Sequence, residues 1–144
     1  MKLSIGSDHA GFELKSQLIK YLEDKQHKVS DVGPFTDLRV DYPDFAHRLV
    51  ISLLNKEVEL GILICGTGNG ISMAANKHKN IRAALCWNSE IAILARNHND
   101  ANIVSLPARF ISFEEAKAII DSFISSSFEG GRHLNRVNKI NCDK

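Results

Sequence analysis

Short apolar runs and longer amphipathic segments follow one another along this chain in a regular order. Apolar runs of strand length occupy residues 2–7, 28–32, 60–65, 82–86 and 102–106. Segments with helical spacing lie between and after them, at residues 10–25, 70–77, 89–96 and 113–125, with a further helix after Asp41. A short amphipathic segment then runs to about Ile140. The pattern predicts strands and helices in alternation.

Individual residues mark the faces and ends of these helices. Leu14, Leu18 and Leu22 recur at the interval of a buried face on the first helix. Ser112 and Glu115 have the spacing of a capping box at the start of the last long helix. The faces that these positions define are expected to pack on a central sheet.

Five strands separated by helices predict an α/β fold, a three-layer αβα sandwich with a five-stranded parallel, Rossmann-like sheet. Right-handed crossovers place the helices on both faces. In the flavodoxin-like strand order 2-1-3-4-5, the first and third strands are neighbours, and ligands bind beyond their carboxyl ends. Those ends are Ser7-Asp8-His9 and Cys65-Gly66-Thr67. The topology therefore predicts a polar site where they meet.

The composition indicates one globular domain over residues 1–144, with 44% hydrophobic and 24% charged residues. No apolar run approaches the roughly 20 residues of a membrane span, and no secretory segment opens the chain, so we expect a cytoplasmic protein. Three cysteines without a C-x-x-C pair argue against a disulfide framework or a zinc knuckle. The formal net charge of +1 gives the protein no overall positive electrostatic potential that would attract nucleic acid.

The most distinctive segment ends an apolar run in Cys65 and continues into Gly66, Gly68 and Gly70. A cysteine near the start of a helix favours its thiolate, and glycines let backbone N–H groups close around an anionic oxygen. The spacing disfavours a dinucleotide fingerprint, a P-loop and a cysteine phosphatase loop, because Ile71 stands where the first needs glycine and the last needs arginine. The pattern predicts a base beside an oxyanion site.

Motifs along essentially the whole chain, in order, resemble ribose-5-phosphate isomerase type B, the family that also contains the galactose-6-phosphate isomerase subunits. The motifs are Gly6-Ser7-Asp8-His9-Ala10-Gly11-Phe12, Asp41-Tyr42-Pro43, Ile64-Cys65-Gly66-Thr67-Gly68-Asn69-Gly70, Asn76-Lys77, Ile81-Arg82-Ala83, His98-Asn99-Asp100-Ala101-Asn102 and Glu129-Gly130-Gly131-Arg132-His133.

The resemblance implies an aldose–ketose isomerase that interconverts D-ribose 5-phosphate and D-ribulose 5-phosphate through an enediolate, in the non-oxidative pentose phosphate pathway. It implies a homodimer or dimer of dimers, with the active site at the subunit interface and no cofactor or metal. Cys65 resembles the family's base, Thr67 assists with its hydroxyl, and His98 matches the residue that opens the furanose ring.

The resemblance also implies the substrate-binding set. Asp8 and Asn99 would bind sugar hydroxyls, and the backbone of Gly66, Gly68, Asn69 and Gly70 would hold the oxyanion. The phosphate ligands would be His9, Arg109, Arg132 and Arg136. The spacing of Arg132 and Arg136 supports their pairing independently of the resemblance, because residues four apart on a helix share a face.

Each residue also has a plainer interpretation. Cys65 alone is typical of a small buried hydrophobe, and Asp8 could cap the first helix. His98 and Asn99 could simply end a helix, and Arg132 with Arg136 could form a solvated face. Other positions are expected to have no catalytic part: Cys86 packs in the core, Cys142 is an inert tail thiol, His27, His47 and His78 lie at the surface, and His133 has no assigned role.

The substrate stays open at this point. Relatives act on pentose, allose or galactose phosphates, and some use glutamate as the base, whereas this chain has Cys65. The alternatives are an isomerase of allose 6-phosphate or galactose 6-phosphate, and a sugar-phosphate-binding module without turnover. Asn69, Leu134 and Asn135 lie at positions that could tune sugar length.

Overall fold

In the computed structural model, which describes residues 1–142, strands and helices alternate as the hydrophobic pattern predicts. The strands are β1 (Lys2–Ser7), β2 (Lys28–Asp31), β3 (Leu60–Cys65), β4 (Ala83–Leu85) and β5 (Ile103–Pro107). The helices are α1 (Phe12–Asp24), α2 (Tyr42–Leu54), α3 (Asn69–Ala75), α4 (Ser89–Asn99), α5 (Phe113–Ser125) and α6 (Arg132–Asn138). None of the helices within residues 1–142 is both long enough and apolar enough to span a membrane.

The strands form one parallel sheet in the order β2-β1-β3-β5-β4. The α/β fold is confirmed, but the flavodoxin-like order is wrong in its last two strands. The physical reason lies in burial: all five residues of β5 are buried, whereas β4 has three half-buried residues and occupies the edge. β1 and β3 remain neighbours, so the predicted meeting of their carboxyl ends is confirmed.

Helices cover both faces of the sheet and create two cores. On one face α1, α4 and α5 pack around a cluster that includes Leu18, Ile62 and Phe123. On the other face α2 and α3 enclose Leu49, Leu63, Cys65 and Ile71. Because successive side chains of a strand point to opposite faces, Cys65 belongs to the α2 and α3 side.

Several helix ends differ from the predicted bounds. α4 runs to Asn99 rather than Arg96, so His98 and Asn99 lie in its last turn. It ends where Asp100 takes a left-handed conformation with φ 47°. The predicted capping box of α5 is confirmed, since the Ser112 side chain accepts from the Glu115 N–H and the Glu115 carboxylate accepts from the Ser112 N–H.

One buried side chain of α1 was not predicted. Lys15 is only 1% exposed, and its Nζ lies 2.7 and 2.9 Å from the carboxylate oxygens of Asp31. The same ammonium group donates to the carbonyl oxygen of Pro34 at 2.7 Å. Lys15 therefore fastens α1 to the end of β2 and to the loop that follows it.

Replacing Lys15 should destabilise the fold strongly. We expect Lys15→Met to lower the free energy of unfolding by about 3 kcal/mol, because it leaves a partly buried carboxylate and a carbonyl without their cation. Lys25→Met is the matched control, since Lys25 pairs with Asp121 at the surface and its loss should matter far less. Urea denaturation measures both, and equal losses would contradict the role given to Lys15.

Candidate active site

The first group of site residues surrounds the carboxyl ends of β1 and β3. Asp8 follows β1, is buried, and donates its backbone N–H to the carbonyl oxygen of Ile64 at 3.1 Å. Its Oδ1 accepts the N–H of Gly11 at 3.1 Å. Gly11 is the N-cap residue of α1 and no side chain within residues 1–142 caps this helix, so the interpretation of Asp8 as its cap is wrong. Asp8 is thereby held next to the end of β3, where Cys65 stands.

Cys65 is 4% exposed, and its Sγ accepts the backbone N–H of Gly68 at 3.2 Å. Gly68 itself has a left-handed conformation, with φ 74°, which favours glycine. The loop is fixed from the other side by β5, because the Ala108 and Arg109 N–H groups donate to the carbonyl oxygens of Cys65 and Gly66. The Cys65 sulfur is thereby held at a fixed position beside the glycine loop.

Side chains around the glycine loop are positioned for polar chemistry. The guanidinium group of Arg109 lies so close to Gly66 that a Cβ there would be 3.0 Å from Nη1. Thr67 is exposed, and its Oγ1 accepts the Asn69 N–H at 3.2 Å, which leaves its hydroxyl hydrogen for another acceptor. Gly70 lies against the ring of Tyr42, which sequence reasoning quoted in a motif but gave no role.

His9 completes this group, which we call the β-edge cluster: Asp8, His9, Cys65 with the loop to Gly70, and Arg109. His9 is half-buried, and its Nδ1 accepts the Val40 N–H at 3.3 Å. In neutral His9 the proton therefore sits on Nε2, where it is a donor for an anion.

The second group lies at the end of α4 and on α6. The rings of His98 and His133 stack with their centroids 4.2 Å apart and their planes at 14°. Arg132 and Arg136 are exposed one helical turn apart, on either side of buried His133. We call this group, with Asn99, the α4–α6 cluster.

His133 has a defined place that the sequence did not predict. Burial lowers its pKa, and the neighbouring His98 and Arg132 act in the same direction. Its Nε2 has no hydrogen-bond partner in the described chain and lies 3.8 Å from the Glu129 carboxylate. The ring of His133 supports His98 by stacking, and its lowered pKa disfavours a positive charge on His133 itself.

His98, Glu129 and His133 also bring three potential metal-ligand atoms within 4.8 Å of one another. Two imidazoles and a carboxylate are a donor set that zinc accepts. Arg132 and Arg136, however, both lower the pKa of His133 by their charge, and the same two charges oppose a cation here. The electrostatics of the cluster favour an anion.

The two clusters do not meet within one chain. Cys65 pairs with Pro107 at the carboxyl edge of the sheet, and Gly61 pairs with Ile103 at the amino edge. These edges are about 13 Å apart along the strands, at ~3.3 Å per residue. α4 ends just before Ile103, so it carries His98 to the amino edge, away from Cys65.

Comparisons with known proteins show the family of this chain. The model of the Ribose/Galactose Isomerase family matches residues 3–140. This chain belongs to that family. The predicted resemblance to ribose-5-phosphate isomerase type B is confirmed.

Three similar proteins illustrate the relationship. A probable ribose-5-phosphate isomerase B of Mycoplasma pneumoniae is 52% identical over 137 residues, covering 94% of this chain and 90% of that protein. The structure of a ribose 5-phosphate isomerase from Thermotoga maritima is 51% identical, with TM-score 0.96 and 96% of each chain covered. That of ribose-5-phosphate isomerase B from Mycoplasma genitalium, with bound ribulose-5-phosphate, is 45% identical, with TM-score 0.91 and 96% and 93% covered.

The remaining cysteines and histidines of this Ribose/Galactose Isomerase family member can now be assigned. Cys86 is fully buried, and burial raises its pKa to about 12, so it packs in the core as predicted. Cys142 is exposed. His47 is a surface residue as expected, and its Nδ1 lies 2.7 Å from Nε2 of His78. His78 and His27 are half-buried rather than exposed, which corrects the prediction for these two.

The glycine loop offers a direct test of its packing. Gly68→Ala should lower the free energy of unfolding by about 2 kcal/mol or more, because a Cβ would overlap the side chain of Leu85 and approach the carbonyl carbon of Leu106 to 3.2 Å. Gly130 also has a positive φ, 67°, but among the described residues other than its two chain neighbours nothing lies within 4 Å of its would-be Cβ. Gly130→Ala should therefore cost only the backbone strain, and a similar loss in both variants by urea denaturation would refute the tight packing of the loop.

Proposed function

We propose that this chain is an aldose–ketose isomerase that interconverts D-ribose 5-phosphate and D-ribulose 5-phosphate through an enediolate. The observation that carries the proposal is the Cys65 Sγ, held 3.2 Å from the Gly68 N–H at the switch point of the sheet. A polarised sulfur base beside a loop of N–H groups suits the removal of a proton next to a carbonyl. The ribulose-5-phosphate bound to the similar Mycoplasma genitalium protein supports the substrate class.

The chemical step is assigned to the β-edge cluster. The Cys65 thiolate removes the proton from C2 of the open-chain aldose and returns it to C1, while the proton of the C2 hydroxyl moves to the C1 oxygen. The C1 aldehyde thereby becomes a hydroxymethyl group and C2 becomes the ketone. Backbone N–H groups from Gly66 to Gly70 stabilise the negative charge that develops on the carbonyl oxygen, and the Thr67 hydroxyl donates to the same region. The buried carboxylate of Asp8 orients a sugar hydroxyl.

The phosphate is assigned to four basic side chains. His9 offers its Nε2–H, and Arg109 lies over the glycine loop on the same protomer. Arg132 and Arg136 come from the α4–α6 cluster, where their guanidinium groups project from one short helix. Charge-assisted hydrogen bonds to a phosphate dianion are stronger than neutral ones, so this set fixes the substrate by its phosphate.

The active enzyme is proposed to be a homodimer, or a dimer of such dimers, in which each site combines the β-edge cluster of one protomer with the α4–α6 cluster of its partner. In this arrangement His98 of the partner subunit opens the furanose ring. Asn99 of the partner subunit binds a sugar hydroxyl. The separation of the two clusters within one chain supports the arrangement. A two-fold axis then gives two identical sites per dimer.

Exposed apolar side chains support the same arrangement. Phe35 and Phe110, in loops at the carboxyl edge, are 73% and 72% exposed. Leu134 and Ile140 of the α6 region are about half exposed, whereas Val137 between them is buried against the rest of the chain. A second copy is expected to cover such apolar surface.

A hexose phosphate is the second candidate substrate, favoured by the description of the matched family as Ribose/Galactose Isomerase. The same fold and proton transfer serve a sugar one carbon longer. Ribose 5-phosphate, allose 6-phosphate and galactose 6-phosphate compared in one assay separate the two candidates. A cytoplasmic role in the non-oxidative pentose phosphate pathway belongs to the pentose proposal.

Cys65→Ala tests the chemical assignment. The variant should lose deuterium incorporation from D₂O at the carbon next to the carbonyl, while the apparent affinity for ribulose 5-phosphate stays within a few-fold, because the base acts in the step and not in holding the ligand. Cys86→Ala, a change in the core, is the control and should retain exchange. Exchange that persists without the Cys65 sulfur would rule it out as the base, and binding without exchange in the parent protein would favour a binding module.

A further inference from the structure

The last turn of α4 ends in a conformation that is unfavourable for the residue found there. Asp100 has φ 47°, a left-handed geometry that favours glycine. It closes the helix by donating its N–H to the Arg96 carbonyl oxygen at 3.2 Å, and Ala101 donates to the carbonyl oxygen of Ala95 at 3.0 Å. Glycine would close the helix with less strain.

Two arginines hold Asp100 from opposite sides. Arg82, just before β4, donates from Nε to the Asp100 carbonyl oxygen at 2.8 Å and from Nη2 to Oδ2 at 3.0 Å. Arg96 donates from Nη1 to Oδ1 at 3.1 Å and to the Ala101 carbonyl oxygen at 2.7 Å. The two arginine side chains are 20% and 15% exposed, so these charged contacts are screened less than surface pairs. We call these three residues the α4 clamp.

The clamp is anchored in the sheet. The Arg82 N–H donates to Oδ1 of Asn102 at 2.9 Å, and the Arg82 carbonyl oxygen accepts from the N–H groups of Asn102 and Ile103. Asn102 immediately precedes β5 and Ile103 is its first residue, and β5 lies next to the central strand β3. Arg82 therefore connects the end of α4 to the sheet and fixes the two relative to each other.

The turn that is held in this way carries the α4–α6 cluster. His98 lies two residues before Asp100 and stacks on His133. The carbonyl oxygen of Asn97 accepts the Glu129 N–H at 3.0 Å, which docks the segment leading into α6 on the same turn. The turn that Asp100 closes therefore carries both His98 and the attachment of the segment leading into α6.

Two other helices show that a left-handed end does not need such a clamp. α1 is followed by Gln26 at φ 68° and α2 by Lys56 at φ 59°. Within residues 1–142, neither side chain forms an ion pair like that of Asp100. Both helices lack a predicted catalytic residue in their last turn.

We propose that Asp100, clamped by Arg82 and Arg96, is a positioning residue for ring opening by His98. It touches no substrate atom and acts only through the position of the imidazole. Ring opening moves a proton from the C1 hydroxyl to the ring oxygen O4 while the C1–O4 bond breaks, and His98 relays that proton. The inference rests on the proposed isomerase function.

Asp100→Gly tests it, because glycine accepts the backbone conformation and removes only the carboxylate. Two rates are compared: turnover of ribose 5-phosphate, which is cyclic, and deuterium exchange at C1 of ribulose 5-phosphate, which cannot close a furanose ring because its C5 oxygen carries the phosphate. We expect turnover of the aldose to fall at least about tenfold, since small misplacements of a catalytic group are costly, while exchange changes less than about twofold. Lys56→Gly is the matched control at the end of α2 and should leave both rates unchanged.

Equal losses in both rates, or no loss in either, would overturn the proposal. Arg82→Gln is the second variant if Asp100→Gly does not fold, and the same ratio of rates is expected. The carbon-bound ring protons of His98, assigned by NMR with His98→Asn, give a readout independent of turnover because their shifts depend on the stacked His133 ring. A parent protein without isomerase activity would refute the proposed function. Unchanged chemical shifts of the His98 ring protons in Asp100→Gly would refute only the positioning role of Asp100.

Discussion

All five strands run in the same direction, and this single constraint determines where chemistry can occur in the molecule. Each crossover helix returns the chain from the carboxyl edge of the sheet to the amino edge. The end of β3 and the end of α4 must therefore lie at opposite edges, as the pairing of Cys65 with Pro107 and of Gly61 with Ile103 shows. Within the described residues, His98 and Cys65 therefore belong to opposite ends of the sheet.

Each half of the site is rigid for its own reasons. At the carboxyl edge, the Gly68 N–H fixes the Cys65 sulfur, and the end of β5 fixes the loop through two backbone hydrogen bonds. At the amino edge, His98 is held by its stack on His133 and by the ion pairs of Asp100. In the proposed dimer, two preorganised halves would leave little to order at the chemical centre when the subunits associate.

Much of the fold could be predicted because the apolar pattern is local. The runs that became β3 and α5, and the capping box of α5, follow from spacing alone. The order of β4 and β5 does not follow from spacing. It depends on which of the two strands loses less buried apolar area when it lies at the edge of the sheet, and this comparison involves segments that are distant in sequence. Lys15 was missed for a similar reason: its partners, Asp31 and Pro34, come from another element.

The candidate site divides in the same way. The meeting of Asp8 with Cys65 followed from topology, since adjacent parallel strands end at one edge. The contacts of Tyr42 with Gly70, of His133 with His98 and of Asp100 with Arg82 arise between separate segments, so spacing gave no signal for them. The available signal for Tyr42 and for Asp100 was their place within the family motifs Asp41-Tyr42-Pro43 and His98-Asn99-Asp100.

Mixing two inactive variants tests the shared site most directly. Cys65→Ala protein lacks the proposed base and His98→Asn protein lacks the proposed ring-opening group, so each alone should turn over ribose 5-phosphate poorly. After unfolding and joint refolding, random pairing makes half of the dimers mixed, and each mixed dimer has one intact site of two, so about a quarter of parental activity should return. No recovery in the mixture, with mixed dimers demonstrated by mass spectrometry, would contradict a site built from both subunits.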